Sequence, residues 1–161
     1  MNYLLVSPNF PTSQESFAKR LVEKGVRVLG IGSENYDNLT DGLKNSLTEY
    51  YRVNDLENYE EVLRGVAFLI YKHGVIDRVE SNNEHWLTLD SLIREQFNIP
   101  GVKPKNLDFT KYKSKMKERF IKAKVPVAKG RAVKNIKELE KAIKDIKLPV
   151  IAKPDNGVGA N

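Results

Sequence analysis

Residues 3–31 read YLLVSPNFPTSQESFAKRLVEKGVRVLGI: a short apolar run, an amphipathic segment and a second apolar run. The first run stops at Ser7-Pro8 and a glycine precedes the second, so the pattern predicts a strand, a helix and a strand. Two strands joined by a helical crossover are the unit from which parallel sheets are built. We expect Thr12 and Glu15 to form a capping box at the start of the helix.

The same alternation of strand and helix continues to about residue 100. Strands are predicted at Tyr50–Val53 and at Val66–Tyr71 (VAFLIY), a continuous apolar run of the kind buried in a parallel sheet. Helices are predicted at three further stretches, namely Leu39–Leu47, Asn58–Arg64 and Trp86–Phe97. The order predicts an α/β, Rossmann-like domain over residues 1–100, with a parallel sheet and helices on both faces.

A second part follows the segment Asn98–Asn106 (NIPGVKPKN), which holds two prolines and a glycine. Residues 1–100 carry 10 Lys/Arg and 15 Asp/Glu, a net charge of −5, whereas residues 101–161 carry 17 and 6, a net charge of +11. This asymmetry predicts two functional units or a site for an anionic ligand. A lysine-rich solvated surface would explain the same charges, and the sequence leaves both interpretations open.

The basic part predicts a smaller α/β arrangement. One helix is expected along Phe109–Phe120, and strands at Arg131–Val133 and Leu148–Lys153. A second helix starts at a capping box formed by Asn135 and Glu138. Its apolar stripe consists of Ile136, Leu139, Ile143 and Ile146.

Composition excludes several classes of protein and site. The chain has no cysteine, which excludes a disulfide scaffold, a Cys-ligated zinc site and a thiol nucleophile. No apolar run approaches the ~20 residues that span a bilayer. The first residues, MNYLLVSPNF, lack the basic region and the long apolar region of a signal peptide. We therefore expect a cytoplasmic protein.

The last residues, PDNGVGAN (154–161), form a loop with two glycines directly after the strand that ends in Lys153. Glycines let backbone amides approach an anion closely, and a lysine adds a point charge for the same phosphates. A plain surface turn is the alternative. The loop does not match the Walker pattern, because no Lys-Ser/Thr pair follows the glycines.

Two other patterns point away from dinucleotide and nucleic-acid binding. Gly30-Ile31-Gly32 follows the second strand rather than the first, and Asn35 stands where a dinucleotide fingerprint needs its third glycine. The lysine-rich stretch 111–124 has its aromatic residues on the apolar stripe, whereas a nucleic-acid surface would expose them. We expect neither NAD nor nucleic acid as a ligand.

The acidic stretch IDRVESNNEHW (76–86) allows two interpretations. Asp77, Glu80 and Glu84 could hold a metal or supply a general base. Ser81 with Glu84 also has the spacing of a capping box for the helix at Trp86, which we favour. The two histidines of the chain lack ligand spacing.

In their order along the chain, these parts resemble the ATP-grasp superfamily of carboxylate–amine or carboxylate–thiol ligases and carboxylases, including the large subunit of carbamoyl-phosphate synthase. The resemblance covers the whole chain. It rests on four stretches, KYKSKMKERFIKAKVPVAKG (111–130), LPVIAKP (148–154), DNGVGAN (155–161) and SNNEHW (81–86). It implies a pre-ATP-grasp domain over residues 1–100 and the start of an ATP-grasp subdomain over residues 101–161.

The resemblance also implies the site residues. Lys113 corresponds to the first ATP-contacting lysine of the family, with Lys115 as the alternative, and Lys153 to the second. The loop that covers the triphosphate corresponds to Gly157, Val158 and Gly159. Two positions depart from the family pattern, since Tyr112 replaces the usual acidic residue and Lys124 the usual glycine. The catalytic residues stay unknown, because the lobe that carries them in the family has no counterpart here.

For the complete enzyme, the resemblance implies ATP-dependent ligation of a small carboxylate to an amine or thiol through an acyl phosphate. ATP and magnesium are the implied cofactors, with the magnesium ligands in the lobe that has no counterpart here. We expect the chain to be an N-terminal portion of such an enzyme, without turnover of its own and without a membrane partner. A homodimer is kept open. The alternative is a non-catalytic Rossmann-like module that binds a small ligand or a partner.

Overall fold

The computed structural model describes residues 1–157. The chain divides into two compact units, one formed by Met1–Pro104 and one that begins at Lys105, and each is described by itself. Within the described residues, no helix is long and apolar enough to cross a bilayer.

The first unit is a four-stranded parallel sheet with its helices outside it. Its strands are β1 (Asn2–Val6), β2 (Arg27–Gly32), β3 (Glu49–Arg52) and β4 (Arg78–Glu80). Its helices are α1 (Gln14–Glu23), α2 (Asp41–Ser46), α3 (Tyr59–His73) and α4 (Leu87–Gln96). The strand order is β3-β2-β1-β4, so the chain reverses its direction of propagation between β1 and β4.

The alternation of side chains along β1 and β2 gives the sheet two apolar faces. Leu5 and Val28 point to one face, where α1 and α2 cover them. Leu4 and Leu29 point to the other, where they pack with buried residues of α3 and α4. Helices therefore cover both faces of the sheet, which confirms the predicted α/β fold class.

The strand predicted at Val66–Tyr71 is wrong, because these residues lie within α3. The side chain of Asn58 caps this helix by accepting the Glu61 amide, and the helix ends at Gly74, where φ is +85°. The run VAFLIY is apolar around the whole circumference of the helix. Its inner residues are buried, whereas Tyr71 is 89% exposed, and such a run has no helical periodicity to recognise.

The capping predictions had mixed outcomes. Thr12 and Glu15 do not cap α1, because the Glu15 carboxylate instead accepts the hydroxyl of Thr40. The box at the start of α7 (Ile136–Ile146) is confirmed. There the Asn135 side chain accepts the Glu138 amide at 3.0 Å and donates to the Glu138 carboxylate at 3.2 Å.

The described part of the second unit is helical and more exposed than expected. The helix predicted along Phe109–Phe120 is two helices, α5 (Pro104–Lys111) and α6 (Lys113–Lys122). The predicted strands Arg131–Val133 and Leu148–Lys153 are absent from the described residues, since a strand needs a hydrogen-bonded neighbour and neither stretch has one there. In α7 only Ala142 is buried, while Ile136 in the predicted apolar stripe is 74% exposed.

Candidate functional site

The strongest candidate site lies at the first turn of α6. The amides at a helix N-terminus have no partner within the helix, and Tyr112, which precedes α6, supplies no side-chain cap. Asp155 replaces that cap from 41 residues further along the chain. Its backbone carbonyl accepts the Lys113 amide at 3.0 Å, and its carboxylate accepts the Ser114 amide at 2.7 Å and the Ser114 hydroxyl at 2.8 Å.

These contacts join the two backbone segments that carry Lys113 and Lys153, the lysines that the family resemblance singled out. Lys113 opens α6, and Lys153 stands two residues before Asp155, a separation that the backbone spans in at most ~7 Å. Gly157 is half-buried, and a side chain there would have open space apart from Pro154 at 3.5 Å. Val158 and Gly159, the other predicted loop residues, lie outside the described residues.

The electrostatics of this turn favour negative charge. Hydrogen bonds from the amide and the hydroxyl of Ser114 hold the pKa of Asp155 below its usual range, and the charges of Lys113 and Lys115 act in the same direction. Lys115, the alternative first lysine, also pairs with Glu118 at 3.5 Å. Asp155 already accepts both amides of this turn, so the attraction that the turn offers to an anionic phosphate comes from the side-chain charges of Lys113 and Lys115.

The glycine pair of β2 has a packing role. A Cβ on Gly30 would stand 2.9 Å from the ring of Tyr50, and one on Gly32 would stand 2.6 Å from its hydroxyl. That hydroxyl donates to the carbonyl of Glu34 at 2.9 Å. The glycines therefore make room for a half-buried tyrosine.

A polar network fills the point where ligands usually bind to open α/β sheets, the carboxyl ends of strands at which the strand order reverses. Between β1 and β4 this place is taken by Gln14, which is 1% exposed. Its side-chain amide donates to the carbonyl of Ser81 and accepts the side chain of Asn82 at 3.0 Å. Gln14 thus ties the first turn of α1 to the residues that follow β4.

Two acidic side chains of the stretch 76–86 form hydrogen bonds and ion pairs within the first unit. Asp77 accepts the Asn2 amide at 2.7 Å, and Glu80 pairs with Arg94 at 2.9 Å. Nowhere in residues 1–157 do three His, Cys, Asp or Glu side chains cluster in a way suited to a metal ion. The predicted capping box of Ser81 and Glu84 is wrong, because the hydroxyl of Ser81 donates to Asp90 at 2.7 Å.

Asp90 and Arg94, which the sequence analysis missed, form the charged core of this region. Asp90 is fully buried, and burial raises its pKa to about 6 even though Ser81 donates two hydrogen bonds to its Oδ2. Among residues 1–157, its Oδ1 has no hydrogen-bond partner. The guanidinium of Arg94 donates to the carbonyl of Val79 at 2.5 Å and pairs with Glu80, so it does not neutralise Asp90 directly. Asp90 and Arg94 have the i, i+4 spacing of an exposed ion pair on a helix, so the sequence pattern does not indicate that they are buried.

A separate cavity of about 220 Å³ opens in the first unit, at the carboxyl ends of β1 and β2. Its lining contains two carboxylates and no cationic side chain; the lining residues are Pro8, Asn9, Thr12, Glu15, Glu34, Asn38, Leu39, Thr40 and Leu43. Hydrogen bonds from the Asn38 side chain and the Asn35 amide lower the pKa of Glu34. The cavity is therefore acidic, unlike the basic turn of α6.

No protein-family model matches the sequence, and neither does any curated protein. Several solved structures resemble it, among them the following two. One is L-amino acid ligase from Bacillus licheniformis, with a TM-score of 0.59 and 15% identity over 98% of this chain and 38% of the ligase chain. The other is the biotin carboxylase domain of 2-oxoglutarate carboxylase from Hydrogenobacter thermophilus, with a TM-score of 0.62 and 21% identity over 91% of this chain and 33% of that chain.

The second of these structures is a domain dimer in complex with MgADP, ADP and bicarbonate. The chain spans 38% and 33% of the lengths of these two chains, so the likeness concerns only part of each. Both are ATP-grasp proteins, and at these levels of identity the likeness concerns architecture. The chain has the α/β fold of the corresponding parts of these two proteins.

Proposed function

We propose that the chain forms the first part of the nucleotide-binding region of an ATP-dependent carboxylate–amine or carboxylate–thiol ligase that works through an acyl phosphate. The single observation that carries the proposal is the binding of Asp155 to the first turn of α6. That contact joins, across 41 residues, the two sequence segments in which the family resemblance placed its ATP lysines. The more specific likeness to carbamoyl-phosphate synthase rests on the sequence motifs alone.

The proposed roles follow from charge and backbone chemistry. Lys113 and Lys153 would contact the nucleotide, where ammonium groups neutralise phosphate oxygens or hydrogen-bond on the adenine side. Gly157, Val158 and Gly159 would offer backbone amides to the same phosphates. Bound ATP would supply the phosphoryl group that activates the carboxylate. We propose no magnesium ligand in this chain; in a complete ligase the ligands would come from the remaining lobe.

Nucleotide affinity tests this proposal directly. The chain should bind a fluorescent ADP analogue in the presence of magnesium, and both Lys113→Ala and Lys153→Ala should weaken the binding on the order of tenfold, as expected for one charge-assisted contact each. The matched control is Lys144→Ala, which removes an exposed lysine from α7. Equal affinities for all four chains would refute the proposal, and loss of binding in Lys115→Ala alone would move the first site to Lys115.

Turnover is a separate question. We propose that the chain alone does not hydrolyse ATP, because phosphoryl transfer needs metal and carboxylate positioning that Lys113 and Lys153 do not provide. Incubation with ATP, magnesium and amino acids should release no more phosphate than the Lys153→Ala variant does. A clear excess of phosphate from the wild-type chain would contradict this part of the proposal.

A non-catalytic small-ligand module is the second candidate, favoured by the acidic cavity of the first unit. The two candidates differ in the charge of the ligand. A cavity lined by Glu15 and Glu34 would take a neutral or cationic molecule, whereas the turn of α6 would take an anion. Binding of small amines that is lost in Glu34→Gln, together with no binding of nucleotide, would favour the module.

A further inference from the structure

The N-terminus of α6 is capped by a residue that is remote in sequence. In an ordinary helix a Ser, Thr, Asp or Asn directly before the first turn accepts these amides. Here the preceding residue is Tyr112, and the two amides at the start of α6 donate to Asp155 instead. The hydroxyl of Ser114 adds a third hydrogen bond to the same residue. A Ser, Thr, Asp or Asn at position 112 would be enough to cap the helix locally, so the contact with Asp155 is not required for helix stability alone.

The segment around Asp155 has little else to fix it. Residues 147–157 contain no helix or strand, and Ile151 is 91% exposed. A loop without a ladder or a buried side chain retains much of its conformational freedom. Three hydrogen bonds to one residue, two of them to an ionised carboxylate, are therefore the contacts that define where Lys153 lies relative to Lys113.

We infer that Asp155 and Ser114 form a latch, defined as the three hydrogen bonds between Asp155 and residues 113–114, which holds the loop of Lys153 against the helix of Lys113. Asp155 is in this view a positioning residue for nucleotide binding. The role of the latch in nucleotide binding rests on the proposed function, whereas its three hydrogen bonds are observed independently of that function. The latch fixes the two backbone segments that carry Lys113 and Lys153, which would otherwise have to be brought together when the nucleotide binds.

The negative charge of Asp155 allows an experiment to distinguish a positioning role from no role in nucleotide binding. A carboxylate near bound phosphates repels them, so electrostatics alone predicts that removal of Asp155 tightens nucleotide binding. The latch predicts the opposite sign, since the loss of ordering outweighs the loss of repulsion. Asp155→Asn, which keeps an oxygen acceptor but loses the charge, should lie between the wild type and Asp155→Ala if hydrogen bonding is the cause.

The first measurement concerns the latch itself and needs no nucleotide. Amide hydrogen exchange, resolved by residue with NMR, should show that the amides of Lys113 and Ser114 are protected, although they occupy the first turn of a helix. Asp155→Ala should abolish this protection. The matched control is Asp145→Ala, which removes a carboxylate that pairs with Arg131 at 3.0 Å on the exposed side of α7. Unprotected amides in the wild type would overturn the latch.

The second measurement is the affinity for the fluorescent ADP analogue with magnesium. Asp155→Ala and Ser114→Ala should each weaken binding, Asp155→Ala on the order of tenfold, and the double variant should lose less than the product of the two because both remove the same contact. Asp145→Ala should bind like the wild type. Tighter binding by Asp155→Ala, or losses that multiply, would overturn the positioning role.

The two proposals fail in different ways. A wild-type chain with protected amides at Lys113 and Ser114 that binds no nucleotide would refute the proposed function, and with it the positioning role of Asp155. A chain that binds nucleotide through Lys113 and Lys153 with unchanged affinity in Asp155→Ala would keep the proposed function and refute the latch.

Discussion

The stability of the first unit should depend on pH through one buried carboxyl group, Asp90. The group lies on α4 with no exposed surface, and Ser81 donates to its Oδ2 from the amide at 3.1 Å and from the hydroxyl at 2.7 Å. Among residues 1–157, its Oδ1 has no hydrogen-bond partner, and Arg94 points its guanidinium at Val79 and Glu80. The cost of burying the charge outweighs these contacts, and the pKa rises from 3.8 to about 6.

The sign follows from proton binding. Between about pH 4 and pH 6 the folded chain keeps a proton on Asp90 that the unfolded chain has already released. The free energy of unfolding therefore falls as the pH rises through this window and does not change further above it. A shift of about two pH units corresponds to roughly 3 kcal/mol. Carboxyl groups with lowered pKa values, among them Glu34 and Glu49, act in the opposite direction.

The assay is urea-induced unfolding followed by the fluorescence of Trp86, the only tryptophan of the chain, which lies next to α4. Unfolding free energies are measured at pH 4, 5, 6 and 7 for the wild type and for Asp90→Asn, which cannot titrate. The difference between the two chains isolates Asp90, because the other groups are common to both. That difference should change by roughly 3 kcal/mol between pH 4 and pH 7, in the sense that the wild type loses stability as the pH rises.

Glu95→Gln is the matched control, since Glu95 lies on the same helix with an exposed side chain. Its stability should follow that of the wild type at every pH. Parallel curves for the wild type and Asp90→Asn would refute the reasoning, and so would a difference of the opposite sign. In either case Asp90 would be ionised in the folded chain at low pH, and an interaction other than the two bonds from Ser81 would have to stabilise its charge.

Three further predictions concern stability and use the same unfolding assay or residue-resolved exchange. Gly65→Ala should destabilise the first unit by about 1–3 kcal/mol, because the new Cβ would stand 2.7 Å from the ring of Tyr51 and 2.8 Å from Ile31; an unchanged midpoint would show that α3 can move away from the sheet. Arg94→Met should cost about 3 kcal/mol by leaving the Val79 carbonyl and Glu80 without their donor, and a loss below about 1 kcal/mol would contradict this. Asn135→Ala should destabilise α7 by about 1 kcal/mol and speed amide exchange in its first turn, whereas exchange in α6 should stay unchanged.

The sequence was most informative where structure depends on neighbours along the chain. The runs LLV and VLGI form central strands as predicted, and the box of Asn135 and Glu138 forms because its partners are three residues apart. Prediction from the sequence failed where a helix or strand lacks a recognisable periodicity of apolar residues. The apolar run at Val66–Tyr71 belongs to a helix, while the true fourth strand, Arg78–Glu80, has one buried residue and no recognisable pattern.

The residues of the candidate site also differ in whether the sequence or the structure identified them. The family resemblance of the sequence singled out Lys113 and Lys153, and their role in binding ATP stays a prediction. Only the tertiary structure assigned a role to Asp155, because its partners are 41 residues away and no local pattern marks that distance. The same holds for Asp90, whose pKa depends on the absence of water around it. Hydrogen bonds between distant residues and the loss of solvent arise only when the chain folds. The sequence therefore determined the two central strands and the cap of α7, and folding decided which polar groups act together.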